Sequence, residues 1–321
     1  SDGDSLKQQT VRGTIWSAIE RFSVQGIQFI ILIVMARVLT PSDYGIVGML
    51  TIFLAISQSL IDSGFSNALI QKIDRTETDY ATVFYFNIAV GGILYGIMTF
   101  GSGIADFYDI PELISVTRII SLLLLINSLS IVQRAIFTIR IDFKTQAKAS
   151  LIAVVISGIV GISMAYSGYG VWSIVAQTLV NQALCTILLW FFSQWVPKWT
   201  FSYNSFKQLF SFGSKLMIVG ILDTLYRNIY TIVIGKKYSA ANLGFYTRAE
   251  QFAQFPTSNF TGIMQRVTFP VLSQLQNEEE RLPIAYIKIL RMSAFLIFPL
   301  GVGIGLCGTS VDIDLAERTW T

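Results

Sequence analysis

The 321-residue sequence contains no histidine. That single absence removes Ser-His-Asp and Cys-His nucleophile pairs, HExxH zinc sites and imidazole pH switches. Cysteine is nearly as scarce. Cys185 and Cys307 stand far apart in apolar stretches, so neither a disulfide framework nor a CxxC site is supported, and both read as packed or lipid-facing side chains. Charge is short too: Asp, Glu, Lys and Arg supply 13% of the residues, against ~25% in an average soluble domain. The net charge of +3 is small and scattered, which argues against a nucleic-acid partner. What fills the gap is apolar, with 53% hydrophobic residues and a mean hydropathy of +0.58. Such a chain cannot cover a water-facing surface. It reads as a membrane protein.

Crossing a ~30 Å hydrocarbon layer at 1.5 Å per residue takes about 20 mostly apolar residues. Nine stretches meet that requirement: Thr14 to Leu39, Tyr44 to Ser66, Tyr80 to Ala105, Val116 to Thr138, Ser150 to Ser167, Tyr169 to Ser193, Phe210 to Ile234, Leu243 to Leu272 and Ile284 to Cys307. The first is too long for a signal peptide and carries Glu20 and Arg21 without a following cleavage site. Barrel strands are excluded as well, being alternating runs of ~10 residues. The fold class expected is therefore an all-α polytopic membrane bundle. Basic residues set its orientation. With the amino terminus in the cytoplasm, inside segments hold Lys7, Arg12, Lys72, Arg75, Arg140, Lys144, Lys148, Lys198, Lys207, Lys215, Arg281, Lys288 and Arg291. Outside segments hold only Arg37, Arg118, Lys236, Lys237 and Arg248.

The connection Trp195 to Lys207 (WVPKWTFSYNSFK) is aromatic and basic, as suits the headgroup zone, and follows the sixth helix. The expected organisation is an amino-terminal lobe over 1–194, an interfacial linker over 195–209, a partial second lobe over 210–308 and a polar tail over 309–321. An internal echo supports the division. Val38-Leu39-Thr40-Pro41-Ser42-Asp43-Tyr44-Gly45 joins the first two helices, and Lys237-Tyr238-Ser239-Ala240-Ala241-Asn242-Leu243-Gly244 joins the seventh and eighth. Six helices lie between the copies, so both have one orientation in the bilayer, with a symmetry axis along the membrane normal.

Ionisable and amide side chains at membrane depth normally face a bundle interior or a wet cavity. On the first helix Thr14, Ser17, Arg21, Gln25 and Gln28 share one face. It borders a cavity or makes interhelical hydrogen bonds. On the eighth, Thr247, Gln251, Gln254, Ser258, Thr261, Gln265 and Thr268 recur at steps of four and three, opposite an apolar face. This neutral polar face meets water, a polar ligand or a packing seam, because unsatisfied amides in hydrocarbon are costly. Asp223 and Arg227 lie four apart on the seventh helix, either as a self-neutralising pair or as an anion-attracting guanidinium tuned by its carboxylate. Arg134, Arg140, Lys144 and Arg266 cluster near inner helix ends, as membrane anchors or as a basic entrance for a phosphate-bearing substrate. Asp62, with Asp223, is the candidate for ion coupling. Gly303 to Gly308 fits GxGxxG without a βαβ context, and no Walker sequence appears, so no cofactor or metal is expected.

Several segments resemble bacterial polysaccharide flippases of the Wzx type. They are Ala36-Arg37-Val38-Leu39-Thr40-Pro41-Ser42-Asp43-Tyr44-Gly45, Gly64-Phe65-Ser66-Asn67-Ala68-Leu69-Ile70-Gln71, Arg140-Ile141-Asp142-Phe143-Lys144, Gly170-Val171-Trp172-Ser173, Leu243-Gly244-Phe245-Tyr246-Thr247-Arg248-Ala249 and Phe269-Pro270-Val271-Leu272-Ser273. That family belongs to the multidrug/oligosaccharidyl-lipid/polysaccharide exporter superfamily. The resemblance implies two helical lobes around a central cavity in the bacterial cytoplasmic membrane. It implies movement of an undecaprenyl-diphosphate-linked oligosaccharide from inner to outer leaflet by alternating access. Membrane lipids and a polysaccharide polymerase machinery are the further partners it suggests. Cationic cavity residues hold the diphosphate in that family, and Arg21 and Arg227 are the candidates by position. Relatives carry twelve to fourteen helices, whereas TSVDIDLAERTWT (309–321) does not resemble their continuation, so the second lobe is expected to be incomplete. A multidrug or organic-cation antiporter of the same superfamily is the alternative function, and a non-transporting scaffold is another. A membrane glycosyltransferase would need a carboxylate-rich loop, and the acidic loops Asp74 to Asp79 and Glu278 to Glu280 are short.

Overall fold

The computed structural model describes residues 22–62, 64–72, 74–100, 107–140 and 142–251, together with 287, 291 and 298. The regular structure among these residues is all helical, with no strand. The chain forms two compact units, Ser1–Gly244 and Phe245–Thr321. In the first, α1 spans Phe22–Ala36, α2 Pro41–Asp62, α3 Phe65–Gln71, α4 Glu77–Phe100, α5 Glu112–Ile120, α6 Leu122–Ile139, α7 Phe143–Tyr166, α8 Val171–Ser193 and α9 Tyr203–Lys237. Residues 240–251 are helical as well. Six stretches among the described residues are long and apolar enough to cross a membrane: Pro41–Gln71, Glu77–Phe100, Glu112–Ile139, Phe143–Tyr166, Val171–Ser193 and Tyr203–Lys237. Most of the eighth and ninth expected spans, and residues 14–21 of the first, lie outside the described residues.

Short polar residues set the helix starts. Thr40 and Asp43 form a reciprocal capping box at α2: the Thr40 N–H donates to Asp43 Oδ2 at 2.9 Å, and the Asp43 N–H donates to Thr40 Oγ1 at 3.4 Å. Pro41 takes the first helical position, where its missing N–H costs nothing. Thr76 and Asp79 repeat the device at α4, with bonds of 2.8 and 3.3 Å. The Asp142 carboxylate caps α7 by accepting from the Thr145 N–H at 3.1 Å, and Ser202 caps α9 by accepting from the Ser205 N–H.

These caps move two boundaries. The fifth span begins at Phe143, ahead of the expected Ser150, and the seventh at Tyr203, ahead of Phe210. Polar first turns hide such starts from a hydropathy scan. Gly64, at φ 70°, breaks the second span, and a Cβ there would lie 2.9 Å from the Gly213 Cα of α9.

Two packing zones position the rest. Phe65, Leu69, Phe84, Val132, Ile136, Trp195 and Leu209 bury one another where α3, α4, α6 and the 194–202 connection meet. Trp195 Nε1 donates to Glu77 at 2.9 Å, and the Ser202 N–H donates to Thr82 Oγ1 at 3.1 Å, so that connection is tied to α4 at both ends. Lys72 pairs with the fully buried Asp79 at 2.8 Å beside it. α9 runs antiparallel to α2 through small residues: Gly213 meets Gly64, Gly220 approaches Ser59, and Gly235 meets Met49.

Candidate functional site

The described part of the candidate site lies on α1 and α9. Gln25 is half-buried, with its Oε1 accepting no hydrogen bond, and Gln28 is exposed one turn further along the same helix. On α9 the Arg227 Nε donates to Asp223 Oδ2 at 2.8 Å. Both side chains stay open, at 72% and 55% exposure. Arg227 stands ten residues before the end of α9 at Lys237, which is about 15 Å along the axis. Neighbouring Leu222, Tyr226 and Tyr230 are exposed as well. An open ion pair inside a membrane span is costly against acyl chains and is favoured by water, a polar partner or a ligand.

The other candidates divide. Arg134, Arg140 and Lys144 share the end of the bundle where α6 passes into α7. Arg134 and Arg140 are both exposed, and Arg134 Nη2 donates to Cys185 Sγ at 3.5 Å. Asp62 accepts from the Ser66 N–H at 3.1 Å, which caps α3 across the Gly64 break. In the second unit, exposed Gln251 accepts from Arg248 Nη1 at 2.9 Å. Arg21, Gln254, Ser258, Thr261 and Arg266 lie outside the described residues. Among the described residues no group of three or more Cys, Asp or Glu is placed to hold a metal ion.

A second polar face escaped the sequence reading. Along α8, Asn181 Nδ2 donates to Ser157 Oγ at 3.1 Å, and Gln182 Nε2 donates to Ser130 Oγ at 3.5 Å. Further along, Trp190 Nε1 donates to the Leu129 carbonyl at 2.8 Å. Gln177 packs on Gly161, where a Cβ would come within 2.8 Å. These groups bind α8 to α6 and α7. The signal was present as Ser173, Gln177, Asn181 and, after a further step, Gln182 and Thr186, at helical spacing. Its use here is a packing seam.

Comparison with known proteins decides the family. The model of the polysaccharide biosynthesis protein family matches residues 34–314. The chain belongs to that family. Among curated relatives of this polysaccharide biosynthesis protein, teichuronic acid biosynthesis protein TuaB of Bacillus subtilis is 28% identical over 94% of the chain and 63% of its own length. Succinoglycan biosynthesis transport protein ExoT of Rhizobium meliloti is 25% identical over 96% and 63%. Lipopolysaccharide biosynthesis protein WzxC of Escherichia coli is 24% identical over 94% and 62%. The chain thus spans less than two thirds of the length of these relatives. Among solved structures, a multidrug resistance MATE family transporter of the MOP superfamily, in an inward-facing conformation, matches with a TM-score of 0.67 and 16% identity, covering 94% of this chain and 76% of that one. The resemblance to Wzx-type proteins and the all-helical transporter fold are both borne out.

Proposed function

We propose that this polysaccharide biosynthesis protein is a flippase that carries a lipid-linked oligosaccharide, joined to its polyprenol through a diphosphate, from the inner to the outer leaflet of the bacterial cytoplasmic membrane. The observation that carries this reading is the open Asp223–Arg227 pair on the apolar helix α9. A guanidinium offers a fork of donors suited to phosphate oxygens, and the neighbouring carboxylate limits how tightly the anion is held. Gln28 stands at the position on α1 that the internal echo matches to Arg227, and it offers neutral hydrogen bonds for sugars. The polyprenyl tail stays in lipid while the headgroup follows the wet face. The excess of basic residues supports an amino terminus and an Arg140–Lys144 turn in the cytoplasm, where Arg134, Arg140 and Lys144 would meet the incoming diphosphate. Arg21, Gln25, Gln254, Ser258 and Thr261 extend the track, Arg266 joins the entrance, and Asp62 or Asp223 couples an ion. A polysaccharide polymerase receives the product.

The multidrug antiporter reading has one specific support, the fold match to a MATE transporter. The two are separated by complementation. Expressed in a strain lacking its polysaccharide flippase, the protein is expected to restore surface polysaccharide without raising tolerance to organic cations. Tolerance without polysaccharide would replace the flippase reading by the antiporter.

A further inference from the structure

The connection between α8 and α9 contains no helix, yet it is closely held. Residues 194–202 join two stretches that are long and apolar enough to cross a membrane, Val171–Ser193 and Tyr203–Lys237, so the chain turns back at the membrane surface there. α4 holds the connection from both ends, through Glu77 to Trp195 and Thr82 to Ser202, and Pro197 fixes φ in between. The Thr200 N–H donates to the Lys198 carbonyl at 2.7 Å, which makes a three-residue turn with Trp199 at its tip. The Trp199 ring stacks on Tyr85 of α4, with centroids 5.5 Å apart and planes at 25°, and still keeps 92% exposure. Phe201 and Tyr203, both exposed, continue the patch onto α9. Their rings lie 6.3 Å from that of Phe206, which packs in turn on Phe65, Phe86 and Phe210. The outer rings are thus open but already ordered, so a ligand loses little affinity to fixing them.

Charge has one sign around this patch. Residues 143–222 contain Lys144, Lys148, Lys198, Lys207 and Lys215 and no Asp or Glu. Lys198 and Lys207 are exposed and, among the described residues, have no ion-pair partner. Lys207 stands one turn after Tyr203 on the same face of α9. Two carboxylates at the start of α4 are engaged elsewhere: Glu77 accepts from Trp195, and Asp79 pairs with Lys72.

We infer that residues 198–207 form a binding site for anionic phospholipid of the surrounding membrane. Lys198 and Lys207 engage the charged headgroup, while Trp199, Phe201 and Tyr203 lie at the boundary between headgroups and acyl chains. Aromatic side chains alone prefer that boundary whatever the headgroup charge. The two free ammonium groups supply the selection, because each lysine held near an anionic bilayer surface strengthens attachment roughly 5-fold. The site needs neither substrate nor a transport step, so it stands apart from the flippase reading.

The test reconstitutes the full chain in vesicles of phosphatidylglycerol and phosphatidylcholine at equal mole fraction, without polyprenyl lipid. One lipid or the other is dibrominated on its acyl chains close to the headgroup. Bromine quenches adjacent indole fluorescence, and the Trp199 part of the signal is the difference between the parent and Trp199→Phe. Quenching is expected to favour brominated phosphatidylglycerol roughly 5-fold or more. The preference falls at high salt and is lost in the Lys198→Gln/Lys207→Gln double variant. Lys198→Arg/Lys207→Arg keeps the charge and the preference, and Lys236→Gln, at the far end of α9, leaves it unchanged. Equal quenching by the two lipids in the parent overturns the site and leaves aromatic anchoring alone. A preference that survives in the double glutamine variant overturns it as well. Quenching by neither lipid would put Trp199 in water, where the patch would serve a protein partner, and overturns the lipid site equally.

Discussion

Arg227→Ala separates the two uses of the α9 ion pair by magnitude. If the pair faces water or ligand, its contribution to stability is that of an exposed i,i+4 bridge, about 0.3–0.5 kcal/mol. The single 2.8 Å contact and the open side chains point that way. Truncation then leaves Asp223 solvated, and the folded protein loses well under ~1 kcal/mol. If the face instead meets acyl chains, truncation strands an unpaired carboxylate inside the span. Insertion scales put that at about 2.5–3.5 kcal/mol, a shift of roughly 60- to 300-fold in equilibrium at 1.4 kcal/mol per decade. Membrane insertion and unfolding in mixed micelles read these outcomes beside export in the flippase-null strain. The expected result is near-parental stability with export lost in Arg227→Ala and partly kept in Arg227→Lys. A stability loss above ~2 kcal/mol, with export falling only in proportion to folded protein, would refute the reasoning.

Other consequences concern the scaffold. Asp79 is fully buried against a partly exposed Lys72 and the Thr76 cap, so Asp79→Ala is expected to cost about 1–2 kcal/mol, mainly through loss of the cap, seen as a lower thermal midpoint in detergent. Gly91 faces Ser128, whose Cβ a new methyl would meet at 3.0 Å; Gly91→Ala should destabilise by about 1 kcal/mol, and Ser128→Gly in the same chain should recover most of it. Asp142→Ala removes the α7 cap at a cost of about 1 kcal/mol, with hydrogen exchange rising at the Thr145 amide first.

The six spans found among the described residues were legible because hydrocarbon thickness dictates apolar length, and little competes with that signal. Helix starts were less so: Phe143 and Tyr203 follow polar caps, Asp142 and Ser202, that belong to the helix without being apolar. The echo between the two turns was readable as eight-residue segments, but its reason was not. Only coordinates show that Gly45 and Gly244 are small because a backbone carbonyl occupies the space of each missing side chain. The segments that carried the family resemblance serve mainly as turn chemistry: Thr40 and Asp43 cap, Asp142 caps, Gly64 and Gly170 take positive φ. Substrate chemistry is carried elsewhere, on helix faces where polar residues have two possible uses. On α8 such a face, Asn181 and Gln182, binds neighbouring helices, while on α9 Asp223 and Arg227 are left open. Periodicity alone is the same in both cases. What differs, among the described residues, is whether a facing helix supplies hydrogen-bond partners.

The account depends on α1 and α9 bordering a common aqueous vestibule. Single cysteines at Gln28 and Arg227, in a chain without native cysteine, test this with charged thiol reagents of matched size. Both positions are expected to react from the aqueous phase at rates well above those of Ile93→Cys and Phe191→Cys, whose exposed side chains face lipid in this reading. Equal protection of all four would contradict it.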